Sequence, residues 1–297
     1  MNEASPLTRF RPLPLQLGDE ETLLDEAHER LAACAARSVV VLPEFLAWTI
    51  AGSAQAYREL AIMAQAHRLT LVTTLNLGPQ LTEDLPGRQP EHRHNAVTIF
   101  TRFGSVHVPQ AKLTPQGFEQ SPDLLGPGIG VAPYTRLNLV EFDLGETLLK
   151  VRFLVCSDLW LLTRVEPPAL GCDLLVVLGN FARGAEVEAR NLLVKARRAG
   201  VARATLLVNA HHVPKDETRQ PLALSAADLA TDGAAEALPE WPDRAALLDH
   251  FRVLDDDAAD GFVAMVEAPA REGRIAVPRS CAEVAPVFGT YPLTIAV

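Results

Sequence analysis

Apolar positions along the chain switch repeatedly between short continuous runs and helical spacing. Residues 9–17 read as a first strand, which Pro12 and Pro14 push towards an edge or an irregular extension. Over residues 23–36, Leu23, Leu24, Ala27, Leu31 and Cys34 fall at helical spacing, with acidic residues at the start and arginines near the end, as the helix dipole favours. Residues 38–42 are a short β-branched run stopped by Pro43, residues 53–67 fit a second helix, and residues 69–75 a strand. This strand–helix–strand–helix–strand order predicts an α/β layer fold.

Past residue 78 the pattern changes. Residues 78–94 form a polar loop, and 96–101 and 105–108 are two strands joined in a hairpin around 102–104. Residues 112–131 are irregular and rich in Pro and Gly; 136–142 and 147–155 make a second hairpin turning at 143–146. A continuous apolar strand at 172–178, a helix at 186–199 and a strand at 204–209 follow. Residues 214–260 are polar, with only 244–251 helical; 262–267 read as a last strand and 278–297 as an extended arm. No linker composition divides the chain, so one domain over residues 1–297 is expected.

Composition narrows the function classes. The net charge of −10 argues against nucleic-acid binding, which rests on phosphate neutralisation. No apolar run reaches the roughly 18 residues that span a bilayer, and the N-terminus carries no apolar signal core, so a cytoplasmic protein without membrane association is expected. The four cysteines, Cys34, Cys156, Cys172 and Cys281, fit no zinc spacing and are too sparse for a disulfide framework. Cys34 reads as a helix-packing residue and Cys172 as core. His92 and His94 lack a third ligand nearby, the acidic run at 255–260 reads as a solvated turn, and no metal or cofactor is expected. The GPGIG run at 126–130 lacks the strand–turn–helix setting of a phosphate loop.

Three polar residues stand at the ends of apolar strands, the edge on which an α/β sheet displays its functional groups: Glu44 after VVVLP, Lys112 in VPQAKLTP, and Cys156 after LLKVRFLV. A thiol attacks as thiolate and needs a base for its proton; the attacked carbon builds an oxyanion that a fixed cation stabilises; the leaving amine needs the proton back. Singly, each has a plainer reading: a cysteine at a strand end is more often a small buried hydrophobe, and a Glu or Lys beside a loop is usually solvated.

Together, VVVLPEF with Glu44, FGSVHVPQAKLTP with Lys112 and RFLVCSDLW with Cys156 and Asp158 resemble, in order, the three motifs of the carbon–nitrogen hydrolase, or nitrilase, superfamily. Glu119 in LTPQGFEQ sits where many members carry a further glutamate, and the order from GCDLLVVLGNF to ATLLVNAHH also follows the family. The likeness covers about residues 9–212, and the Cys-x-Asp-Leu-Trp run looks nearest to the glutamine-amide-hydrolysing domain of NAD synthetases, although no synthetase domain follows.

The resemblance implies an α-β-β-α sandwich of mixed α/β class with the triad at the sheet edge. It implies a thioester on Cys156, Glu44 as general base, Lys112 with main chain near Ser157 stabilising the oxyanion, and Glu119 orienting Lys112 or the attacking group. The expected substrate is a small carboxamide, before a nitrile, with Ser157, Trp160, Asn180 and Phe181 as substrate-contact candidates. His211 and His212 read as ordinary loop residues. Family members pair into dimers and larger homo-oligomers, so the same is expected here. The divergent stretch at 214–297 motivates an alternative, a regulatory module of a larger assembly that keeps the triad without turnover. Acyl transfer to an amine is a third reading.

Overall fold

In this computed structural model, residues 9–13, 16–17, 20–44, 49–115, 119, 131–145, 147–163, 170–181, 189, 192–193, 196, 199–209, 211–212, 227–231 and 286–297 are described. Two sheets carry the structure. The first runs β1 (Phe10–Pro12), β3 (Val39–Val41), β4 (Thr70–Leu77), β5 (His94–Phe100) and β6 (Val106–Ala111) in that spatial order. The second runs β12 (Ala227–Thr231), β10 (Ala202–Asn209), β9 (Cys172–Gly179), β8 (Leu148–Val155), β7 (Arg136–Asp143) and β13 (Val287–Ala296). A two-residue pair joins β2 (Gln16–Leu17) to β11 (His211–His212).

Both central strand sets read as unbroken apolar runs because both their faces are covered. One face of each sheet turns inward: Val39, Val41, Val72, Val97 and Ile99 from the first meet Val151, Phe153, Val155, Leu174, Val176, Leu206 and Val208 from the second. Phe10 and Phe142 meet edge to face across this layer, ring centroids 5.4 Å apart. The alternate residues, such as Val40, Leu71, Leu75, Leu154, Leu175, Val177 and Leu207, belong to the outer core. Helices α1 (Glu20–Ala32) and α2 (Ile50–Ala66) cover the first sheet; α2 buries Ser53, Ala56, Leu60, Met63 and Ala64, one stripe at helical spacing. Thr49 caps α2, its hydroxyl accepting from the Gly52 N–H at 2.9 Å. Ala189, Leu192, Leu193 and Ala196 are helical and lie against the outer face of the second sheet, as the 186–199 prediction requires. The result is the four-layer α-β-β-α sandwich.

Three sequence readings change. Helix α1 stops at Ala32, so Cys34 packs against the core from the following turn rather than from within the helix. Residues 227–231, read as irregular, form β12, antiparallel to β10. The tail is no free arm: β13 lies parallel to β7, pinned where the Tyr291 hydroxyl donates to Asp84 Oδ2 at 2.7 Å. The predicted helix at 244–251, the predicted strand at 262–267 and the 126–130 run lie outside the described residues. Among the described residues, no helix is long and apolar enough to cross a membrane.

Candidate active site

The C-terminal ends of β3, β6, β8, β9 and β10 and the start of β5 share one edge of the sandwich, because β3–β4, β8–β9 and β9–β10 pair in parallel and β5 runs antiparallel to both β4 and β6. Glu44 follows β3, Lys112 follows β6, and Cys156 follows β8. The Glu44 N–H donates to the Gly179 carbonyl at 3.3 Å, which ties the two sheets together at this edge.

The site is assembled around one ammonium. Lys112 Nζ lies 2.7 Å from Glu44 Oε1 and 2.8 Å from Glu119 Oε2. Asn95 Nδ2 donates to Glu44 Oε1 and to Glu119 Oε1, both at 3.0 Å, so one amide bridges the two carboxylates. Glu44, Lys112 and Glu119 are 0%, 1% and 3% exposed, whereas Cys156 as a residue is half-buried, the most exposed member of the four. Cys156 sits at φ 45°, a left-handed conformation that costs a non-glycine residue about 1 kcal/mol, where β8 turns sharply into the 3-10 helix Cys156–Thr163.

Burial lifts Glu44 to about 7, against the pull of Lys112. Burial also works against the Lys112 ammonium, but Glu44, the Cys156 sulfur and Glu119 together outweigh it and hold the proton firmly. The Cys156 thiol is raised well above its ordinary value, first by burial and then by Glu44, with Lys112 and the Asn180 backbone N–H pulling it back. Above about pH 7 the resting pair is therefore thiol and carboxylate. Glu44 Oε2 is buried and accepts no conventional hydrogen bond, and the thiol interacts with this carboxylate.

Asp158, two residues past the cysteine, sets the register between the strands. Its carboxylate accepts from the Leu113 N–H at 3.0 and 3.1 Å, the Thr114 N–H at 2.9 Å, the Thr114 hydroxyl at 2.8 Å and the Val155 N–H at 3.2 Å. Burial pushes Asp158 up to about 6, partly offset by Lys112 and these donors. Asp158→Ala would strand several buried N–H groups, so it is expected to lower the unfolding free energy by about 3 kcal/mol or more, read by urea denaturation.

A second brace sits under Asn180 and Phe181. Asn209 Oδ1 accepts from the Phe181 N–H at 2.6 Å and its Nδ2 donates to the Phe181 carbonyl at 2.9 Å. A Cβ on Gly179 would fall 2.8 Å from the Phe181 ring and 2.9 Å from Asn209 Oδ1, so this close approach requires glycine. Trp160 is half-buried and meets Phe181 edge to face at 6.2 Å. Among the described residues, the buried Asn180 Oδ1 has no hydrogen-bond partner. The Ser157 hydroxyl, by contrast, is engaged with Thr114: it donates to the Thr114 carbonyl at 2.9 Å and lies 3.0 Å from Thr114 Oγ1.

Thus Glu44, Lys112, Glu119 and Cys156 converge, and Trp160, Asn180 and Phe181 border them. Sequence reading passes over Asn95 and Thr114; the available signal for Asn95 was a polar residue at the inward-facing period of an apolar strand, in step with Val97 and Ile99. Among the described residues no group of three or more His, Cys, Asp or Glu is placed to hold a metal.

No family model and no curated protein matches this sequence. Solved structures do. A CN-hydrolase superfamily protein of Xanthomonas campestris, with an arsenic adduct in its active site, aligns with TM-score 0.54 at 15% identity over 88% of this chain and 96% of its own. An amidase from Nesterenkonia sp. aligns with TM-score 0.53 at 17% identity over 75% of this chain and 81% of its own. A carbon–nitrogen hydrolase from Helicobacter pylori G27 gives TM-score 0.52 at 14% identity over 75% and 81%. This chain has the fold of the carbon–nitrogen hydrolase, or nitrilase, superfamily.

Proposed function

We propose that the chain is a divergent carbon–nitrogen hydrolase that cleaves a small carboxamide through a thioester on Cys156. The observation that carries this reading is the Cys156 thiol interacting with a Glu44 carboxylate whose other partners, Lys112 and Asn95, are closed off from water. Glu44 takes the thiol proton as the sulfur bonds to the amide carbon. The carbonyl oxygen becomes an oxyanion beside the Lys112 ammonium and the main chain at Ser157. Collapse breaks the C–N bond, and Glu44 returns the proton to the departing amine, which leaves as ammonia. Water then gives its proton to Glu44 and attacks the thioester, releasing the carboxylic acid and restoring the thiol. Glu119 positions Lys112. Asn180 Oδ1, which accepts no hydrogen bond from the described residues, is an acceptor for the carboxamide N–H, and the half-buried Trp160, backed by the buried Phe181, offers an aromatic wall for the acyl group. A related cysteine chemistry supports the reading: in a Glu-to-Gln mutant of the amidase from Nesterenkonia sp. AN1, acrylamide undergoes Michael addition at the active-site cysteine.

Ammonia release from a panel of short carboxamides and their matched nitriles tests the proposal. Release from at least one amide, faster than from its nitrile, is the expected result; release from nitriles alone, or from neither, overturns it. The pH profile follows from Glu44. Only the ionised carboxylate can take the thiol proton, so kcat/KM is expected to fall as pH drops through about 7. A profile flat down to pH 5 would remove Glu44 as the base.

A further inference from the structure

At the opposite edge of the first sheet, three turns bring arginines together. Arg37 precedes β3, Arg68 precedes β4, and Arg102 follows β5, so the cluster lies about one strand length, roughly 20 Å, from the Cys156 edge. With Phe103 these residues line a cavity of about 320 Å³.

Several features separate this cluster from ordinary surface charge. The protein carries a net charge of −10, yet among the described residues none of the three arginines makes a salt bridge. Among the described residues, the charges that act on Arg102 are those of Arg37, Arg68 and Arg9, all of one sign, and its buried Nε has no hydrogen-bond partner. Arg37 and Arg68 adopt φ 67° and 57°, left-handed conformations that favour glycine or asparagine, so arginine is not there for the backbone's sake. The turns are braced. The Arg37 N–H donates to the Arg68 carbonyl at 2.8 Å, and the β5–β6 turn is closed by Thr101 N–H to Ser105 carbonyl at 2.9 Å and Gly104 N–H to Thr101 carbonyl at 3.0 Å. Phe103 stays 63% exposed with the Arg102 guanidinium 4.5 Å from its ring centre, an open aromatic face beside the charges.

We propose that Arg37, Arg68 and Arg102, with Phe103, form a binding site for a small molecule carrying two or more linked phosphate groups. Guanidinium forks match phosphate oxygens in pairs, and three forks arriving from separate turns suit more than one phosphate. The shared chemistry fits both an inorganic polyphosphate and a nucleotide whose base lies on Phe103.

Calorimetric titration of the full chain with sodium tripolyphosphate, with ATP, and with sodium sulfate at matched ionic strength tests this. Tripolyphosphate and ATP are expected to bind at least about tenfold more tightly than sulfate, and Arg37→Ala or Arg102→Ala to lose at least about tenfold. A preference for ATP that Phe103→Ala abolishes identifies a nucleotide site; equal affinity for ATP and tripolyphosphate identifies a site for the phosphate chain itself. Far-UV circular dichroism confirms that the variants, all at surface turns, remain folded. Binding no tighter than sulfate, or binding unchanged in the Arg37→Ala/Arg68→Ala/Arg102→Ala variant, overturns the proposal.

Discussion

Cys156→Ala is expected to reduce ammonia release from a carboxamide substrate by roughly 10⁴- to 10⁶-fold, the range seen when a covalent nucleophile is removed and only binding and oxyanion contacts remain. The substitution is small and leaves the surrounding braces intact: Asp158 still joins the Lys112 loop to the end of β8, and Asn209 still holds Phe181. The folded structure should therefore survive, with a change in unfolding free energy within about 1 kcal/mol. Measuring turnover and urea denaturation on the same preparation separates loss of chemistry from loss of fold. Turnover within tenfold of the unsubstituted protein would move the nucleophile elsewhere.

Lys112→Met has the largest expected effect on stability. The methionine fills similar space but leaves the Glu44 and Glu119 carboxylates, bridged by one amide, without their ammonium. Removing one partner of a buried ion pair typically costs about 3–5 kcal/mol. The pH dependence has a definite sign. Without Lys112, burial and the Glu119 charge raise the Glu44 carboxyl still further above its value in the unfolded chain. The folded variant then binds protons more tightly than the unfolded one, so its stability falls as pH rises through and above the ordinary carboxylate range. Denaturation midpoints taken from pH 4 to pH 8 should show the deficit relative to the unsubstituted protein growing with pH. Turnover should be lost at every pH, since the oxyanion has no cation beside it.

What could be read from the sequence follows from where each segment lies. β3 and β8 lie inside their sheets and are covered on both faces, so they appear as apolar runs, and Glu44 and Cys156, which follow them, stand out in the sequence. Lys112 follows the edge strand β6, and its signal is its place in the VPQAKLTP run. β12 is a five-residue edge strand of Ala, Asp, Leu and Thr, with no apolar alternation; it exists by pairing with β10. β13 carries Gly289 and Pro292, which argue against a strand interior. The structure accommodates them at the sheet edge, where the register with β7 shifts between Thr290 and Thr294. The supporting residues were the least visible. Asn95 looks like one more position in a strand until the chain folds and its amide meets two carboxylates from distant segments. Ser157 follows Cys156 directly, yet its hydroxyl turns to Thr114, a partner that no spacing rule suggests.

Intact-mass and peptide mass spectrometry of the protein quenched during turnover of a carboxamide tests the central claim most directly. A mass increase equal to the acyl group, carried on the peptide containing Cys156 and absent from Cys156→Ala, is the predicted result. An acyl adduct that persists unchanged in Cys156→Ala would contradict the account.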